Sequence, residues 1–158
     1  MNIPVTNVES AGVVAPAPIF FVIASAVGAA LEWLRPSTLL TQPYALFVGA
    51  TLIAFSIALV AAAFIQMVKA KTSFDANKPT ATLITSGVFR LCRNPTYLSL
   101  VLLQAGLAFA FQSLWLLLLI VPALAVTHQG VVLREERYLK RKFGAEYEQY
   151  ARRVRRWL

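Results

Sequence analysis

The chain has 158 residues, of which 58% are hydrophobic and only 14% charged, with a mean hydropathy of +0.65, whereas a water-soluble domain carries about 25% charged residues. That balance excludes an ordinary soluble globular domain and makes lipid the expected solvent for most of the chain. The formal net charge is +8, but the lysines and arginines flank apolar runs instead of interleaving with aromatics, which argues against a nucleic acid partner.

In chain order, the segment before residue 18 carries no Lys or Arg, so it lacks the basic start of a cleaved signal peptide, and the first apolar run is expected to be retained. That run, 18–34, is apolar apart from Glu32 and rich in the small residues that let membrane helices pack closely. Arg35 and Pro36 end it. A second run, 43–68, opens on Pro43 and Tyr44 and contains no charge. The connection 69–93 holds Lys69, Lys71, Lys78, Arg90 and Arg93, with Pro79 and Gly87 as breakers. Residues 94–133 then run for 40 positions without a formal charge, twice the roughly 20 that one crossing needs. Two spans, 94–111 and 113–133, joined by a hairpin near Phe111-Gln112-Ser113, fit this length. The tail 134–158 is charged and helical in pattern, with Gly144 as a break.

The expected fold is therefore an all-α integral membrane bundle of four transmembrane helices, one domain over 1–158, followed by an amphipathic helical tail on the membrane surface. Fourteen of the fifteen Lys and Arg residues lie in 69–93 or beyond 133. The positive-inside bias places both segments in the cytoplasm, with both termini, and the loops around Arg35 and Gln112 outside. Short loops point to a bacterial-type inner membrane. One cysteine, Cys92, excludes an internal disulfide, and with one histidine, His128, it leaves no zinc cluster.

The connection reads Ser86-Gly87, then Arg90, then Arg93-Asn94-Pro95-Thr96-Tyr97-Leu98 at the start of a membrane helix. This resembles the R-(H/N)-P-x-Y signature of membrane methyltransferases. Glu135-Glu136, followed by Leu139, Phe143-Gly144, Tyr147, Tyr150 and Val154, resembles the C-terminal pattern of the same superfamily, that of isoprenylcysteine carboxyl methyltransferase and phospholipid methyltransferase. The two motifs cover residues 78 to 158, and the two-span hairpin between them returns the chain to the face it left, bringing Asn94 and Tyr97 near Glu135 and Glu136.

The resemblance implies S-adenosylmethionine as cofactor and a lipophilic or lipid acceptor, with membrane lipids as surroundings. It implies cofactor contacts at Gly87, Arg93, Asn94, Pro95, Tyr97, Leu98, His128, Glu135 and Glu136, and Glu136 as the one candidate for a catalytic role. Proline suits the first turn of a helix, whose free N–H groups can hold a carboxylate. A glutamate can take an ammonium or ribose hydroxyls. An ionisable residue within a span, as His128 is, faces the bundle interior or a cavity. Departures narrow the acceptor. Asn94 stands where the prenylcysteine enzymes have His, and no arginine stands near Val131, where those enzymes have one. Two other readings remain open on the residues alone: a membrane reductase of the sterol type, which binds a nicotinamide cofactor, and a non-catalytic scaffold in which the arginines are lipid anchors and the glutamates form surface helical pairs.

Overall fold

The computed structural model describes residues 11–72 and 80–157, so Lys78 and Pro79 lie outside the described residues, as does the chain before residue 11. Every regular element in the described residues is helical. Helix α1 (Ala17–Leu34) begins at a proline, whose fixed φ is already helical and whose missing N–H costs nothing in a first turn. It ends where Arg35 precedes Pro36. Helix α2 (Tyr44–Lys69) follows Pro43 and runs until the first lysine of the basic connection. A short 3₁₀ turn, Gly87–Arg90, precedes α3 (Pro95–Ala110), which again has proline in its first turn.

The apolar run from 94 to 133 breaks where its polar pair lies. Gln112 has φ 60°, and Ser113 caps the next helix by accepting the Leu116 N–H at 3.2 Å. That next helix, α4 (Leu114–Phe143), is 30 residues long. It tightens at Leu119 and widens into a π segment at His128–Val132, then continues through Glu135 and Glu136. The sequence reading ended a span at 133 and began a separate tail there. No helix stop occurs at that point, so the charged residues prolong the span as one rod. The chain turns at Gly144, whose φ of 54° suits glycine, into α5 (Ala145–Arg153).

Helices α1, α2 and α4 are long and apolar enough to cross a membrane, and α3, at 16 residues, is a shorter apolar helix. Val22, Phe47, Phe55 and Val121 are exposed on their outer faces, an apolar surface that lipid solvates and water does not. Helix α3 packs chiefly on α2. Their backbones meet at Gly49 and Gly106: a Cβ on Gly106 would lie 2.9 Å from the Gly49 carbonyl oxygen, and one on Gly49 would lie 2.8 Å from the Ala110 nitrogen. Ser56 Oγ donates to the Ser99 carbonyl at 2.7 Å across the same contact, and Gln104 ties α3 to the Leu116 carbonyl of α4 at 3.0 Å. These bonds satisfy polar groups that lipid could not. Phe21, Ala24 and Ala123 join α1 to α4, with Leu100 of α3 packed against them.

Opposite ends of the bundle are fastened separately. At one end, Gln112 Oε1 accepts the N–H groups of Leu39 and Leu40, and the Trp115 indole donates to the Arg35 carbonyl. At the other, Ser86 Oγ donates to Gln66 Oε1 at 3.3 Å and the Thr82 N–H donates to Thr72 Oγ1 at 3.2 Å. The loop before α3 is thereby held against the end of α2.

Candidate functional site

A cavity of about 700 Å³ opens at this second end, between the C-terminal halves of α2 and α4, the first turn of α3, α5 and the stretch 11–18. Arg93, Asn94, Tyr97, Glu135 and Glu136 line it, with Val13, Val60, Met67 and Leu100 on its apolar side. Its position follows from the hairpin: α3 leaves this end and α4 returns to it, so residues 38 apart in sequence touch. The Tyr97 hydroxyl donates to Glu135 Oε1 at 2.6 Å.

The two adjacent glutamates have different surroundings. Glu135 lines the cavity with a tyrosine as its hydrogen-bond donor. Glu136 is held by two guanidinium groups. Arg156 donates to it through Nε at 2.8 Å and Nη2 at 2.7 Å, a bidentate fork, and Arg93 Nη1 approaches at 3.3 Å. Arg93 Nη1 also donates to the Tyr147 hydroxyl at 3.2 Å, while its buried Nε finds no partner among the described residues. A buried N–H without an acceptor is costly, so a group lining a cavity in that state fits a ligand oxygen.

Asn94 is buried and precedes α3, but its side chain does not cap the helix. Its Nδ2 instead donates to the Arg156 carbonyl at 3.0 Å. Pro95 is buried in the first turn. Four of the residues for which the resemblance implies cofactor contacts do not line the cavity: Gly87, Pro95, Leu98 and His128. Gly87 has φ 58°, and a Cβ there would meet the Gln66 side chain at 2.4 Å, so its glycine is explained by the turn that packs the loop on α2. The His128 ring lies 6.3 Å from that of Trp157, and its buried Nδ1 has no partner among the described residues. Cys92 is buried, and burial raises its thiol pKa, which keeps it protonated and unreactive.

Sequence reasoning missed Arg156 and the stretch 11–18. Arg156 is 20 positions from Glu136, a spacing with no helical or strand periodicity, so nothing local announces the pair. Val14 N–H donates to the Gly130 carbonyl at 3.2 Å, and Arg134 Nη1 donates to the Gly12 carbonyl at 2.8 Å, closing the cavity on the α4 side. Tyr150, part of the C-terminal pattern, donates to the Phe89 carbonyl at 2.7 Å and fixes α5 against the loop.

An apolar helical bundle with a largely apolar cavity that carries charged residues at the mouth of one hairpin is the architecture of a membrane enzyme or binding protein. A family profile described as phospholipid methyltransferase matches residues 44–146, which contain the α3 start, both glutamates and the hairpin between them. The chain belongs to that family, a family of membrane methyltransferases. It is 37% identical over 73 residues to the cobalt-zinc-cadmium resistance protein CzcN of Cupriavidus metallidurans, an alignment that spans 46% of this chain and 33% of that protein. It is 47% identical over 62 residues to an uncharacterized protein of Haemophilus influenzae, covering 39% of this chain and 98% of that protein. The chain thus spans about a third of the length of the Cupriavidus relative. No solved structure matches it.

Proposed function

We propose that this chain transfers a methyl group from S-adenosylmethionine to a lipophilic acceptor at the cytoplasmic membrane boundary of a bacterial inner membrane. The observation that carries the reading is the pairing, among the residues that line one cavity, of an arginine whose buried Nε–H has no acceptor among the described residues with a carboxylate, Glu135, that has no cation paired to it among them. S-adenosylmethionine brings a carboxylate, an ammonium and a sulfonium whose methyl is transferable without acid or base help. In this reading Arg93 Nε and the uncapped first turn of α3 at Pro95 receive the carboxylate, Glu135 receives the ammonium, and Tyr97 orients Glu135. The residues supply alignment, which is what an in-line transfer needs most. Glu136, with two arginines on it, is a structural tie in this scheme instead of a base. Gly87 shapes the loop, and Leu98 and His128 support the walls.

The acceptor enters from the apolar side of the cavity near Val60 and Leu100. Among the described residues Arg93 is the only Lys or Arg in the lining and is already paired with Glu136. That balance favours a neutral or cationic acceptor over a carboxylate, and it disfavours a nicotinamide dinucleotide, whose phosphates need cations.

We also propose that α3 makes a fourth crossing. What supports this is that its start is tied to the α2 end at Thr72 and Gln66 while its end is tied to the loop between α1 and α2. At about 24 Å, from a rise of 1.5 Å per residue, α3 nearly matches the hydrocarbon layer. Both basic segments then face the cytoplasm.

Calorimetry on detergent-purified protein tests the reading. Saturable binding of S-adenosylmethionine and S-adenosylhomocysteine, weakened at least tenfold by Glu135→Gln, is the expected result. Absence of binding to both sulfur compounds would overturn it, and NADPH serves as the control.

A further inference from the structure

The last described residues return to the polar end of the cavity, where they bond to Arg93, Asn94 and Glu136 of its lining. The Arg155 carbonyl accepts the Arg93 N–H at 3.0 Å, and the Arg156 carbonyl accepts Asn94 Nδ2 at 3.0 Å. The Arg156 guanidinium holds both oxygens of Glu136, and Trp157 lies against His128 of α4. The tail therefore bridges the start of α3 and the face of α4, the two walls the cavity separates.

We propose that Arg156 is the positioning residue of the cofactor site, acting through Glu136 on Arg93. This rests on the cofactor reading above. A carboxylate flanked by two arginines must divide itself between them. Arg156 takes it bidentately at 2.8 and 2.7 Å, which leaves Arg93 a single contact at 3.3 Å. Side-chain exposures of 13% for Arg93 and 15% for Glu136 leave each little contact with water in place of the other. Without Arg156, Glu136 is free to take the Arg93 fork through its Nε edge, whose buried N–H otherwise has no acceptor among the described residues. The N–H free for a ligand carboxylate is then consumed inside the protein. A planar fork is required for this, since an ammonium is a point charge that cannot hold both oxygens in a plane. The carbonyls of 155 and 156 meanwhile fix the backbone of Arg93 and the side chain of Asn94, contacts that survive a side-chain substitution at 156.

The test is a double-mutant cycle read by S-adenosylhomocysteine binding on detergent-purified full chain, with thermal midpoints recorded in parallel. Arg156→Gln, Glu136→Gln and the double variant are compared with the parent, and Arg156→Lys reports on the fork geometry. The expected result is binding at least tenfold weaker in Arg156→Gln and nearly as weak in Arg156→Lys. Binding in the double variant should be stronger than the product of the two single losses, because no fork remains to be competed for. Unchanged affinity with a lowered midpoint would make Arg156 purely structural and overturn the proposal. Tighter binding in Arg156→Gln would overturn it too, by making the tail an occluder. Additive losses would mean that Arg156 does not act through Glu136. If Arg156→Gln fails to fold, Arg156→Lys decides: parent-like affinity overturns the proposal. Failure of the parent itself to bind would instead sink the cofactor reading, which keeps the two failures distinct.

Discussion

In the proposed site Glu135 is the carboxylate that receives the ammonium. Its Oε1 accepts the Tyr97 hydroxyl at 2.6 Å. A bond to a charged group contributes about 1.5–3 kcal/mol, so Tyr97→Phe should lower the thermal midpoint of the detergent-purified protein by a stability loss of that order and weaken binding of S-adenosylhomocysteine; an unchanged midpoint with unchanged binding would mean that Tyr97 does not act on Glu135.

Among the elements, the α2 and α3 contact is the one that places Arg93, Asn94 and Tyr97, since it fixes where α3 begins relative to the end of α2. Gly106→Ala puts a methyl 2.7 Å from Ile53 Cγ1 and 2.9 Å from the Gly49 carbonyl oxygen. The backbone cannot yield cheaply, and overpacking of this kind costs about 1–3 kcal/mol. Gly130→Ala, whose methyl would meet the Val14 side chain at 3.4 Å, is the control. Detergent-stability melts should separate the two, the first lowered by several degrees and the second near the parent; equal melts would show that the helices can part without loss. The helix bounds themselves were legible, because Pro43, Lys69, Pro95 and the pair Gln112-Ser113 are stops with local chemical causes. The meeting of Tyr97 with Glu135 was legible too, once a hairpin was inferred from a charge-free run twice one crossing. The prolongation of α4 through Arg134 was not, since a change from apolar to charged marks a change of solvent and no change of backbone. Nor were the π segment, Arg156 on Glu136, or residues 11–18 over the cavity, all of which depend on tertiary partners far along the chain.

At the scale of the whole molecule, the cavity is useful only if its polar rim meets the compartment that holds the donor while its apolar side meets lipid. That requires Arg90, Arg93 and α5 on one side of the membrane and the loop from Arg35 to Thr41 on the other. The fastening of Leu39 and Leu40 to Gln112 means that this loop and the α3–α4 turn share a side, whichever side it is. Only an α3 that crosses can satisfy this along with the ties from Thr72 to Thr82 and from Gln66 to Ser86. In a Cys92→Ala background, single cysteines at the exposed positions Thr38, Phe111, Arg90 and Arg152 report this directly with a membrane-impermeant maleimide on intact cells. Thr38→Cys and Phe111→Cys should label from outside; Arg90→Cys and Arg152→Cys should label only after permeabilisation. Phe111→Cys behaving like Arg90→Cys would make α3 re-entrant, leave three crossings, and put α5 on the side opposite the α3 start. That arrangement is incompatible with Tyr150 bonded to Phe89, so the labelling pattern tests the site and the topology together.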